Sequence, residues 1–504
     1  MSVRVRPSLP PVSRLLRLAC AGASLLLAAL AAPAAEPARA VHAPEPAQAA
    51  SLPPAVLAAL ARAQVPREAL AALVVDVEGQ GPPRLALQPD LPVNPASVMK
   101  LVTTYAALEM LGPSFTWDTP VYLDARPEDG RLRGNVYIKG SGDPKLVAER
   151  LWLLMRRLRA QGVTVIVGDI VLDRSAFALA PHDAAQFDGE PWRPYNVAPD
   201  ALLLNYKAIT LSFVPDAAAG VAHVSHEPPL AHMELPASVP VAPEGTPCGD
   251  WRAALRAELA TAGRIALAGR YPASCGERQW SIAPAGPRDY AARAVEGMWR
   301  EVGGKLTGQV RDGIVPAGLA PAFSATSPAL AEVVRDINKY SNNVMTQQLL
   351  LTLALQRSGQ GSLAGARALL ARWWDERSGA PGTLVVDNGA GLSRDARLTA
   401  RGLARLLQHA WASPVMPELM ASLPIAGVDG TLRRRPGQAS GVAHLKTGTL
   451  RDVSAVAGYV LGASGRRQVL VAVINHPNAP AARPALDALV DWARNDQPGA
   501  RGQK

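Results

Sequence analysis

From Ser97 onward apolar residues recur every third or fourth position, at Val98, Leu101, Val102, Tyr105, Leu108 and Leu111, which predicts an amphipathic helix. Asn94 suits its cap and Pro95 its first turn. Upstream, residues 53–63 read as a helix, and 73–77 and 84–87 as apolar strands with Gly and Pro between them. Residues 119–140 read as strands ending in the turn Gly140-Ser141-Gly142-Asp143-Pro144. A helix over about 145–161 and strand segments at 163–166 and 168–172 follow. The pattern changes at 207–281, where Pro clusters and short alternations such as 209–213 replace long helical periods. Helical spacing returns at 288–302 and 328–357; the C-terminal end predicts a hairpin of 455–460 and 468–474 turning at 463–466, then a helix over 483–494. Helices and strands mixed without regular βαβ alternation, and without an internal repeat, predict an α+β fold.

The 504 residues are 48% hydrophobic, enough for a large buried core and for several domains. At the N-terminus Arg4, Arg6, Arg14 and Arg17 precede an Ala/Leu-rich run over about 18–32 and then Ala32-Pro33-Ala34. That is the layout of a cleaved export signal, with cleavage near Ala34 or Ala35 and an Ala/Pro-rich linker over 35–50, an uncleaved anchor being the alternative. The apolar run is short for a membrane span. Cleavage removes four of the charges behind the formal +10, leaving a mildly basic exported chain whose expected partner is an anionic envelope polymer. No basic run interleaved with aromatics points to nucleic acid, and Arg433-Arg434-Arg435 is too short to do so. Cys20 leaves with the signal. The remaining pair, Cys248 and Cys275, predicts one disulfide in an oxidising compartment, with two free thiols as the alternative. No HExxH or Cys/His spacing marks a metal site, and no cofactor is implied.

Candidate chemistry sits in three short motifs: Ser97-Val98-Met99-Lys100, Ser341-Asn342-Asn343 and Lys446-Thr447-Gly448. Each alone has a plain structural reading, as a solvated helix face, a helix cap and an edge-strand turn. In this order, on helix, loop and strand, they form the Ser-x-x-Lys, Ser-x-Asn, Lys-Thr-Gly set. Two of only eight lysines fall in it. A serine hydroxyl needs a base to become a nucleophile. Lys100, one turn after Ser97, serves if it is neutral, and apolar surroundings plus the cation of Lys446 both favour that form. A serine at a helix start also offers its N–H and the helix dipole to an oxyanion.

With these motifs the chain resembles the D-alanyl-D-alanine carboxypeptidases/endopeptidases of the class C low-molecular-mass penicillin-binding proteins, from about residue 52 to the C-terminal helix. GSGDPKL (140–146), GDIVLDRSAF (168–177), PYNVAPDALLLN (194–205), DNGAGLSR (387–394) and LPIAGVDGTL (423–432) carry the resemblance further. It implies a penicillin-binding transpeptidase-like, serine β-lactamase-like domain (51–118 and 325–498) with two nested insertions. These are a domain II over 119–206 and 282–324, and a β-rich domain III over 207–281. It also implies that Ser97 forms an acyl-enzyme with the penultimate D-Ala carbonyl of a peptidoglycan stem, with Lys100 as base. Ser341, near Lys446, would relay a proton to the leaving amine, and Asn343 would hold the substrate amide. Lys446, Thr447 and Gly448 would border the terminal carboxylate, with the N–H groups of Ser97 and Thr449 as oxyanion hole. Arg394, Arg451 and Tyr195 become candidate contacts to the stem, and Asp143 a structural residue. β-Lactams are the implied covalent inhibitors, and the periplasm the implied location, with no integral membrane domain in the mature chain. One departure stands out: Ala390 occupies the place of the central serine in a DGSGLSR-like segment. A β-lactamase or esterase on the same scaffold and a non-catalytic peptidoglycan-binding protein are the competing readings. The 244 positions from Ser97 to Ser341 exceed what a compact β-lactamase needs.

Overall fold

The computed structural model describes residues 51–496; the export signal and linker read in residues 1–50 lie outside them. Helices and strands are mixed along the chain as an α+β fold. An antiparallel sheet runs in the order Leu85–Leu87, Leu70–Asp76, Arg467–Asn475, Val453–Leu461, Ala443–Leu450. The first strands therefore pair with the last: Leu70 lies opposite Ile474 and Asp76 opposite Gln468. Strands Val453–Leu461 and Arg467–Asn475 are buried almost throughout, because both faces of the sheet are covered. On one face Val74, Leu470 and Ile474 pack with Leu60 and Leu489 of helices Pro54–Arg62 and Arg483–Arg494. On the other, Leu73 and Val471 pack with Val102, Leu350 and Leu403 of helices Lys100–Leu111, Asn343–Ser358 and Ala400–Trp411.

Two helices differ from the sequence pattern. The segment expected as an amphipathic helix from Ser97 begins with a 3-10 turn, Ala96–Met99, and continues as Lys100–Leu111. It is not amphipathic, for every residue from Lys100 to Leu108 is buried. Its polar positions face neighbours instead of water: Thr103 donates to the Gly389 carbonyl (2.8 Å) and Thr104 to the Lys100 carbonyl (2.7 Å). Asn94 does contribute a cap-like bond, accepting from the Ala96 N–H at 2.9 Å. The single periodic run 328–357 is two helices, Leu330–Tyr340 and Asn343–Ser358, parted by Ser341 at φ 57°. Apolar spacing continues across that break, so periodicity alone cannot reveal it. Asn342 caps the second helix by accepting from the Met345 N–H at 3.1 Å.

Chain between Asp118 and Thr326 builds the other large sheets. One is mixed, in the order Val310–Asp312, Ile170–Asp173, Val136–Lys139, Asp118–Leu123, Pro321–Thr326. A second is antiparallel, in the order Ser238–Pro240, Val221–Glu227, Ile209–Asp216, Arg278–Ile282, and a third, of two-residue strands, runs Lys305–Leu306, Val165–Ile166, Arg131–Leu132, Pro127–Glu128. A continuous apolar core joins them through Ile138, Met155, Phe213, Trp251 and Trp299. Cys248 and Cys275 form the expected disulfide at the edge of this region (S–S 2.07 Å). Gln348, buried in the Asn343–Ser358 helix, ties the two regions together. Its amide nitrogen donates to the carbonyls of Gly142 (3.1 Å) and Asp200 (2.8 Å), and its oxygen accepts from the Asp200 N–H (2.9 Å). The turn at Gly140 needs glycine, since an added Cβ would lie 2.3 Å from the Ala201 carbonyl oxygen. Asp143 in that turn is buried and accepts from the Lys145 N–H (2.7 Å), and burial pushes its carboxyl up to about 6. No helix among the described residues is long and apolar enough to cross a membrane.

Candidate active site

Ser97 sits on the 3-10 turn where three separate stretches of chain meet. Asn94 and Asn475 clamp the turn to the end of the last strand, each side chain or backbone answering the other. The Asn94 N–H donates to Asn475 Oδ1 (2.8 Å), and Asn475 Nδ2 donates to the Asn94 carbonyl (3.0 Å). Gly448 on strand Ala443–Leu450 lies against the same turn: a Cβ there would be 2.6 Å from the Pro95 carbonyl oxygen and 3.1 Å from the Ser97 nitrogen. Gly391, at φ 78°, presses on it from the third side, where a Cβ would be 1.8 Å from the Ala96 carbonyl oxygen. The backbone approach is so close that only glycine fits at both positions.

Inside this frame the two motif lysines are wholly buried. Lys100 Nζ is 3.1 Å from Ser97 Oγ, 2.7 Å from Asn343 Oδ1 and 2.6 Å from the Ala390 carbonyl oxygen. Burial, and secondarily the charge of Lys446, hold its pKa well below the ordinary lysine value. Lys446 Nζ donates to Ser341 Oγ (2.9 Å) and to the Thr447 carbonyl (2.7 Å), and burial lowers its pKa to about 7. Ser341 reaches it because the αL residue between the two helices turns that hydroxyl toward the strand. Asn343 Nδ2 donates to the Tyr195 carbonyl (3.2 Å), which leaves one amide hydrogen for a ligand. A lysine pushed toward its neutral form within hydrogen-bond reach of a serine hydroxyl is able to take that hydroxyl's proton. Lys446 with Ser341 is a second hydrogen-bonded lysine–serine pair.

Ser97, Lys100, Ser341, Asn343 and Lys446 are thus brought together. Thr447 and Gly448 lie on the same strand, Thr447 partly covered and Thr449 exposed at its rim. Arg394 is at the margin, with its guanidinium 3.1 Å from Asp452 and 4.7 Å above the Phe187 ring. Arg451 is exposed. The Tyr195 hydroxyl donates to Asp188 (2.8 Å), so the residue's link to the motifs is its backbone carbonyl. The departure at Ala390 leaves the Lys100 contact intact, because that contact is to the main chain. Residues absent from the sequence reading are Asn475, the Ala390 and Tyr195 carbonyls, and Thr431, whose hydroxyl is 2.8 Å from that of Thr447. Backbone acceptors carry no residue signature; Thr431 lies within LPIAGVDGTL and was open to notice. Among the described residues no cluster of His, Cys, Asp and Glu is arranged to hold a metal ion.

A buried lysine in reach of a serine hydroxyl is an arrangement found in serine-type acyl-transfer enzymes. The chain belongs to the D-Ala-D-Ala carboxypeptidase 3 (S13) family, whose model matches residues 55–496. It is similar to a D-alanyl-D-alanine carboxypeptidase of Actinomadura sp. (strain R39), with 32% identity over 441 residues, covering 81% of this chain and 79% of that one. It is also similar to the D-alanyl-D-alanine carboxypeptidase DacB of Haemophilus influenzae, with 25% identity over 392 residues, covering 75% and 80%. Penicillin binding protein 4 from H. influenzae has a similar fold, with a TM-score of 0.67 at 22% identity over 84% of this chain and 96% of that one. The same protein complexed with a β-lactam gives 0.65 at 21%, with the same coverage. The penicillin-binding fold and the enzymatic class, serine-type D-Ala-D-Ala carboxypeptidase, follow.

Proposed function

We propose that this chain hydrolyses peptidoglycan stem peptides, and cross-links between them, in the periplasm through an acyl-enzyme on Ser97. The observation that carries the reading is the 3.1 Å contact of Ser97 Oγ with Nζ of a lysine wholly out of water. Neutral Lys100 takes the Ser97 proton as Oγ attacks the penultimate D-Ala carbonyl, and the N–H groups of Ser97 and Thr449 receive the oxyanion. The proton reaches the leaving nitrogen through Ser341, which Lys446 holds. The carbon–nitrogen bond breaks, and Lys100 is neutral again to deprotonate the water that releases the acyl group. Lys446 and Thr447 hold the terminal carboxylate, and the free Asn343 amide hydrogen meets a substrate carbonyl. Arg394 and Arg451 stand where the stem peptide would run. A β-lactam offers the same carbonyl and carboxylate but traps the enzyme as an acyl adduct, which accords with the β-lactam complex of the Haemophilus protein of like fold.

The same reading divides the chain into a catalytic body over 51–118 and 325–498, with 119–206 plus 282–324 and 207–281 as nested insertions. The Arg-bearing N-terminus followed by an apolar run supports export. Labelling with fluorescent penicillin tests the mechanism. Wild type is expected to label covalently and Ser97→Ala not at all; an unlabelled wild type, or a labelled Ser97→Ala, sinks it. Steady turnover of a chromogenic cephalosporin in place of a stoichiometric burst would mark a β-lactamase instead.

A further inference from the structure

Residues 425–435 form a turn that is fixed to the helix delivering Ser341. Lys339, two positions before Ser341 and almost wholly buried, donates to Asp429 (2.6 Å) and to the Leu423 carbonyl (2.6 Å), while Asp429 also accepts from the Ile425 N–H (2.8 Å). From this clamp Thr431 reaches the Thr447 hydroxyl at 2.8 Å. Beyond Thr431 an open hollow of about 440 Å³ is lined by Gly430, Thr431, Arg433 and Arg434. Arg435 turns away to pair with Asp487. Arg433 and Arg434 are exposed and have no ion-pair partner among the described residues. Two guanidinium groups therefore border a hollow whose wall includes Thr431, the residue hydrogen-bonded to Thr447.

We propose that this hollow is a subsite for the leaving strand of a cross-link, with Arg433 and Arg434 receiving its carboxylates. The inference rests on the placement of the terminal carboxylate at Lys446 and Thr447, so that the hollow lies on the side where the amine departs. A free D-Ala leaving group carries one carboxylate, which Lys446 and Thr447 satisfy, and it is too small to reach further. A departing peptide carries additional carboxylates, and guanidinium groups pair with them in a planar, two-pronged geometry. These arginines thereby favour endopeptidase over carboxypeptidase action.

The experiment compares kcat/KM for a cross-linked muropeptide dimer with that for a pentapeptide ending in D-Ala-D-Ala. The proteins are wild type, Arg433→Ala/Arg434→Ala, Arg433→Lys/Arg434→Lys, and a control, Arg126→Ala/Arg133→Ala, that removes two exposed arginines elsewhere. The dimer-to-pentapeptide ratio is expected to fall about tenfold in the first double variant, as two exposed ion pairs would give. The lysine pair should restore much of it, and the control should leave it within about twofold. A ratio unchanged by Arg433→Ala/Arg434→Ala, or lowered equally by the control, overturns the subsite. Failure of the underlying reading is seen separately, as a wild type that neither labels with penicillin nor cleaves either substrate.

Discussion

At the scale of single residues, the decisive property is where the two lysine ammonium groups titrate. The proposed mechanism needs Lys100 neutral, so acidification that protonates it should depress the rate of penicillin acylation, and alkali should restore it. Lys446 makes a prediction about stability. Its pKa is about 7 in the fold against 10.5 for an ordinary lysine, so between these values the unfolded chain binds more protons than the folded one. The contribution of this group therefore rises with pH across that window, by up to about 1.4 kcal/mol per pH unit, and is least favourable below pH 7. Urea midpoints at pH 7 and pH 9 should show a larger gain for wild type than for Lys446→Met; equal gains would remove Lys446 as the source. The five motif residues were legible in the sequence, because Ser97, Lys100, Ser341, Asn343 and Lys446 are distinctive in type and order, whereas the side chains of Asn475 and Thr431 were not so marked. Nor were the main-chain acceptors. Ala390 and Tyr195 act through carbonyl oxygens that any residue supplies.

At the scale of elements, the site depends on how closely a strand can approach a turn. Gly448→Ala would place a methyl group 2.6 Å from the Pro95 carbonyl oxygen and force strand Ala443–Leu450 away from Ser97. Penicillin acylation should fall about a hundredfold, the loss expected of an ångström-scale misplacement of reacting groups, while circular dichroism stays native. Wild-type acylation in that variant would show that strand and turn move independently. The sequence pattern located the helix–loop–strand order of the motifs correctly. It missed the nature of two elements for one physical reason. Periodicity reports which residues avoid water, and neither full burial of Lys100–Leu111 nor a one-residue αL break at Ser341 disturbs that record.

At the scale of the whole molecule, the disulfide and the catalytic frame belong to different packing regions. Cys248–Cys275 closes a loop with a sequence separation of 27, worth about 3.6 kcal/mol in the chain-entropy account. Reduction should therefore expose two thiols and lower the denaturation midpoint of the region between Asp118 and Thr326 without abolishing penicillin labelling of the folded protein. Loss of labelling in parallel with thiol exposure under native conditions would show that the two regions stand or fall together. The α+β class and the β-rich character of 207–281 were readable from spacing and proline content. The shared apolar core and the Gln348 tie were not, because they join positions far apart in sequence. The pairing of strand Leu70–Asp76 with Arg467–Asn475, and of Asn94 with Asn475, has a consequence for timing. Nearly four hundred positions separate those partners. As the chain emerges, Ser97 appears early, yet the Asn475 side of its frame is missing until the final strand arrives. The frame around Ser97 is therefore completed only as folding of the whole polypeptide closes.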